Sequence, residues 1–153
     1  MAGDRGTAVA TDLPRTQAQA QAKGGYSEVA LQTIEQAITI SNETKERWAI
    51  AEVLRLKADL LLATGRARPD EIDALLVDSL EIARGQKARS WELRTARDLA
   101  CLRQRQGRWE EAVSLLQRSY DQFSEGLETA DVMHAKTLLD QLYCSTAMQA
   151  PRR

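Results

Sequence analysis

Residues 96–119 read ARDLACLRQRQGRWEEAVSLLQRS. Before Gly107 the small and apolar positions are Ala96, Leu99 and Ala100; after it they are Ala112, Leu116 and Ser119. Steps of three and four residues collect such positions on one face of an α-helix. A glycine between two such faces supplies the left-handed residue on which one helix stops and the chain turns back. The stretch is therefore a helix, a tight turn and a second helix. The pattern recurs along the chain. Ala112, Leu116 and Ser119 stand 5, 9 and 12 residues after Gly107, and Ala30, Ile34 and Ala37 stand at the same offsets from Gly25. Ile72, Leu76 and Ser79 follow Gly65 with the same internal spacing, after a two-residue insertion around 66–69. Upstream, Leu54, Ala58 and Leu61 before Gly65 match Ala96, Ala100 and Arg103 before Gly107.

Working outward, every segment from Gly25 onward carries helical periodicity. Ser27 is placed to cap a helix with Val29, Ala30, Ile34, Ala37 and Ile38 inward, ended by the polar run Ser41-Asn42-Glu43-Thr44. A helix over 45–64 turns Ala51, Leu54, Ala58, Leu61 and Leu62 inward and stops at Gly65. Pro69 opens the next, with Ile72, Leu76, Leu80 and Ala83 inward, and Gly85 closes it. Ser90 reads as the N-cap of a helix whose Glu92 favours the N-terminal dipole. Beyond Gly107, Trp109 leads into a helix with Ala112, Leu116, Ser119, Tyr120 and Phe123, stopped by Gly126. Thr129 caps the last, with Val132, Ala135, Leu139 and Leu142 inward.

The recurring triple has a physical logic. Small residues let neighbouring helices approach, and the large residue between them fills the space that remains. These are the positions of the tetratricopeptide pattern. The expected fold is all-α: antiparallel helix pairs stacked as a short right-handed solenoid. The spacing from Gly65 to Gly107 is 42 residues, longer than the ~34 of a standard unit. Residues 24–147 form the repeat domain. Residues 1–23, which include a Gln/Ala-alternating run without an apolar stripe, are expected to be a flexible or weakly helical leader. Residues 148–153 are expected to be a tail.

Composition narrows the function. A formal charge of -1 argues against nucleic-acid binding. No apolar run reaches the length of a membrane span, and the N-terminus lacks an apolar signal core, so a cytoplasmic protein is expected. Cys101 and Cys144 are expected to be buried thiols. His134 is the only histidine, and Ala130, Thr137 and Leu138 one turn away are poor ligands, so neither a metal site nor cysteine–histidine catalysis is expected. Glu110 and Glu111 fall in a first helical turn, where they favour the dipole. Trp48 and Trp91, 43 residues apart, are expected to pack at repeat junctions.

The remaining candidate is the concave face. In a stack of this type the first helix of each pair lines it. The outward positions would be Glu52, Arg55, Leu56 and Asp59, then Arg94, Arg97, Cys101, Gln104 and Arg105. Arg55, Asp59, Arg94, Arg97, Gln104 and Arg105 form the candidate groove, suited by its arginines to an acidic peptide or partner segment. Neither a cofactor nor an enzymatic activity is expected. Self-association through exposed repeat ends is a further expectation, because the helix after Gly25 lacks a leading partner.

Three stretches, RWAIAEVLRLKADLLLATG, SLEIARGQKARSWELRTARDLACLRQRQGRWEEAVSLL and YDQFSEGLETADVMHAKTLLDQL, span nearly two-thirds of the chain. Together they resemble the C-terminal tetratricopeptide-like region of large bacterial adenylate/guanylate cyclase–ATPase regulators. The resemblance implies a sensory arm that follows an ATPase domain. The sequence carries no G-x-x-x-x-G-K-[ST] loop, since Gly24-Gly25 is followed by Tyr26. The expectation is a non-catalytic protein-interaction module; the alternative is a regulatory fragment of such a signalling protein.

Overall fold

The computed structural model describes residues 26–149, which are helical throughout apart from turns. The helices are α1 (Ser27–Thr44), α2 (Ile50–Thr64), α3 (Pro69–Gly85), α4 (Arg89–Arg105), α5 (Trp109–Tyr120) and α6 (Ala130–Gln149). The leader over 1–23 and the end of the proposed tail, 150–153, lie outside the described residues. The chain divides into two compact units, one ending at Ile82 and one beginning at Ala83.

In the first unit α1 packs on α2. Ala30, Ile34, Ala37, Val53 and Leu60 form its buried cluster, with Leu31, Ile38 and Leu56 half-buried against it. The repeat triple is thus interior in the first copy. It is interior in the second as well, since Ile72, Leu76 and Ser79 are all buried and Ser79 Oγ donates to the Ala51 carbonyl at 2.6 Å. The inner face of α2 is rotated from the expectation. Ala51 and Ala58 are buried, but Leu62 is exposed, and Ile50, Val53 and Leu60 take the interior. The run Ser41–Thr44 does not end α1, which continues to Thr44 and stops on left-handed Lys45. Ser41 is buried there, and its hydroxyl donates to the Glu46 carbonyl at 2.6 Å. Tyr26 rather than Ser27 is the N-cap of α1, and α2 starts at Ile50, five residues later than its pattern implied.

In the second unit α4 packs against both α5 and α6, and α5 packs against α6. The interior consists of Leu93, Ala96, Leu99 and Ala100 from α4, Ala112 and Leu116 from α5, and Val132, Ala135, Leu139 and Leu142 from α6. The third copy of the triple is complete, with Ser119 buried beside its two apolar partners.

Three helix ends share one turn. Gly65 and Gly107 are left-handed, at φ 64° and 76°. After each, the next N–H reaches back five residues, Arg66 to the Leu61 carbonyl at 3.2 Å and Arg108 to the Arg103 carbonyl at 2.8 Å. The end of α3 repeats this hydrogen bond, Ala88 N–H to the Ala83 carbonyl at 2.9 Å. Its left-handed residue is Lys87, at φ 57°, and not Gly85, which is the last residue of the helix. The start of α4 shifts with it. Ala88 is the N-cap, Ser90 lies inside the first turn, and no side chain caps this end.

Candidate functional site

In the second unit, burial of Leu93, Ala96, Leu99 and Ala100 leaves Arg94, Arg97, Cys101, Gln104 and Arg105 on the opposite side of α4, Arg105 exposed and the rest half-buried. These five residues therefore share one side of this helix. Two of the arginines on that side are engaged. Arg94 Nε donates to Asp131 of α6 at 2.7 Å, which ties the two helices together on that side. Arg97 pairs with the adjacent Asp98 at 3.2 Å. Arg55 and Asp59 belong to the first unit and are taken by themselves. Asp59 is exposed, whereas Arg55 is turned onto Glu52 through Nε and Nη2, each at 2.9 Å. Glu52 is not outward but buried, at 1% exposure, and Leu56 packs on the core. A carboxylate is stable at such depth only when paired and hydrogen-bonded, and the bidentate guanidinium meets that need.

A second basic feature, also wholly in the second unit, was not anticipated. Arg84, Lys87, Arg89, Glu92, Arg118 and Gln122 line a cavity of about 300 Å³. At its floor Glu92 is 3% exposed, and its Oε1 accepts from Arg84 Nε at 3.1 Å, Ser119 Oγ at 3.0 Å and Gln122 Nε2 at 2.8 Å. Glu92 lies in the first turn of α4, as its position implied, and is in addition a buried hub joining three helical segments. The Nη2 of Arg84 is buried without a hydrogen-bond partner, a state that costs about 1–3 kcal/mol for a buried donor. Around the rim, Lys87, Arg89 and Arg118 are exposed and have no carboxylate partner among the described residues. The signal was present in the sequence as Arg84, Lys87 and Arg89 at the turn, but Arg118 joins them only through the packing of α5.

The other candidate groups fall as follows. Cys101 is half-buried and Cys144 exposed, both as free thiols, which corrects the expectation of two buried ones. Cys144 lies on α6, on the side turned away from Leu138, Leu139 and Leu142. Burial pushes the Cys101 thiol pKa up, and the nearby Asp98 carboxylate adds to the shift. Glu111 is held below the ordinary carboxylate range by the Arg108 guanidinium bonded to it. Trp48 is exposed, in the turn before α2, whereas Trp91 is half-buried in the first turn of α4. His134 is exposed on α6. Among the described residues no cluster of His, Cys, Asp and Glu could hold a metal ion, and no helix is long and apolar enough to cross a membrane.

Comparison of the chain with protein-family models and with curated protein sequences gives no match.

Proposed function

We propose that the chain is a non-catalytic, tetratricopeptide-like interaction module that takes an acidic peptide or partner segment on the outer side of α4. The observation that carries this reading is the Arg94–Asp131 bridge. It joins α4 to α6 on the side away from their shared packing with α5, as expected where first helices of successive repeats line one surface. An incoming carboxylate would exchange with Asp131 and Asp98 for guanidiniums already held in place, so little side-chain entropy is lost on binding. Arg105 and Gln104 extend the same surface by a further turn.

The test is capture from the native cell with Arg94→Glu and Arg97→Glu combined as the control. Loss of the captured partner in the double variant supports this surface, and undiminished capture refutes it. The resemblance to the repeat region of cyclase–ATPase regulators favours a second reading, a sensory segment that works alongside catalytic domains. An ATPase or cyclase reading frame beside the gene would support that setting.

A further inference from the structure

We propose that the cavity lined by Arg84, Lys87, Arg89 and Arg118 is a binding site for a phosphate dianion, presented either by a phosphorylated side chain or as free phosphate. Elsewhere in the molecule basic side chains close to a carboxylate pair with it: Lys57 with Glu35 at 2.6 Å, Arg94 with Asp131 at 2.7 Å, and Arg103 with Glu111 at 3.6 Å. Lys87, Arg89 and Arg118 line one cavity with no carboxylate partner among the described residues, Arg89 reaching only the Gln122 carbonyl at 3.5 Å. Among the described residues that line it the one carboxylate, Glu92, is buried and already neutralised by Arg84. The rim is therefore left with a surplus that a single carboxylate would not balance, whereas a phosphoryl group of nearly two negative charges would.

The donors suit that chemistry. Arg84 Nη2 is buried and lacks an acceptor. Arginine forks match the oxygens of a tetrahedral oxyanion in pairs. The N-terminus of α4, with no capping side chain, adds its positive dipole end to the same region. The site shares no residue with the α4 surface proposed for a partner, so the two stand or fall separately.

The experiment follows thermal unfolding of the full chain against added sodium phosphate, with sodium chloride at equal ionic strength as reference. Phosphate is expected to raise the melting temperature in a saturating manner while chloride does not. Arg118→Gln is expected to weaken apparent phosphate affinity about fivefold or more, and Lys87→Gln, Arg89→Gln and Arg118→Gln combined to abolish the response. Lys87→Gly guards against misfolding, because glycine suits the left-handed turn; it should weaken phosphate binding while leaving the fold at least as stable. Equal effects of phosphate and chloride would overturn the proposal, as would full phosphate affinity in the triple variant. So would loss of the response in Arg94→Glu/Arg97→Glu alone. Titration with a phosphoserine peptide and its unphosphorylated parent separates the sources. Tighter binding of the phosphopeptide than of inorganic phosphate identifies a modified side chain, and the reverse identifies the free ion.

Discussion

Each of the two units buries one glutamate, and the two are satisfied in different ways. Glu52 in the first meets Arg55 one turn along its own helix, through two bonds of 2.9 Å. Glu92 in the second gathers Arg84, Ser119 and Gln122, which come from the segments before and after its own. A pair within one helix can be read from the spacing of three residues; a hub cannot, because its members meet only when the helices pack. The same contrast separates the two basic features. The arginines of α4 follow from helical periodicity, whereas the cavity around Glu92 is made by tertiary structure.

The comparison can be broken first at the glutamates. Glu92→Ala is expected to destabilise by about 3 kcal/mol, the lower end for a broken buried pair, because the Arg84 side chain is 32% exposed. Glu52→Ala should cost a similar amount, yet its loss of hydrogen-exchange protection should centre on α2. For Glu92→Ala, protection should fall together at the end of α3, in α4 and in α5. Identical, local patterns for the two variants would contradict the hub.

The serines at matching repeat positions sharpen the contrast. Ser119 donates to a carboxylate and Ser79 to a backbone carbonyl. Ser119→Ala should therefore cost about 2 kcal/mol and Ser79→Ala about 1 kcal/mol in denaturant unfolding. Ala37, buried at the same position of the first copy, shows that alanine fits the packing itself.

The turns come next. Lys87→Gly should stabilise by about 1 kcal/mol, since a left-handed lysine is strained, while Gly65→Ala and Gly107→Ala should destabilise by about as much. The smallest expected effect is chemical rather than energetic. Cys144 should be alkylated faster than Cys101 at mildly alkaline pH, because the raised pKa of Cys101 keeps it as the unreactive thiol. Equal rates, followed by mass spectrometry, would contradict the half-buried placement of Cys101.

The sequence made the helical architecture legible where local rules dominate. The triples Ala30–Ile34–Ala37, Ile72–Leu76–Ser79 and Ala112–Leu116–Ser119 are all buried, because their spacing encodes one helix face. Gly65 and Gly107 stop helices as expected, because no other residue takes their backbone so cheaply. Errors arose where a polar residue had two uses. Ser41 reads as a helix breaker but serves as a buried donor, and Ser90 reads as a cap but lies inside the first turn of a helix whose start no side chain caps. Lys87 in a left-handed turn runs against its own preference, so Gly85 drew the expectation instead. Of the expected groove, the α4 residues share one side, but Glu52 and Leu56 face inward because α2 is rotated toward Val53 and Leu60.

The most direct test of the proposed function is an anisotropy titration of a fluorescent glutamate-rich peptide against three proteins: the parent, Arg94→Glu/Arg97→Glu, and the triple glutamine variant at Lys87, Arg89 and Arg118. The account predicts saturable binding to the parent and to the triple variant, and loss of at least about tenfold in affinity in the α4 double variant. Binding that survives intact in the double variant, or that vanishes only in the triple one, would contradict α4 as the surface that meets an acidic partner.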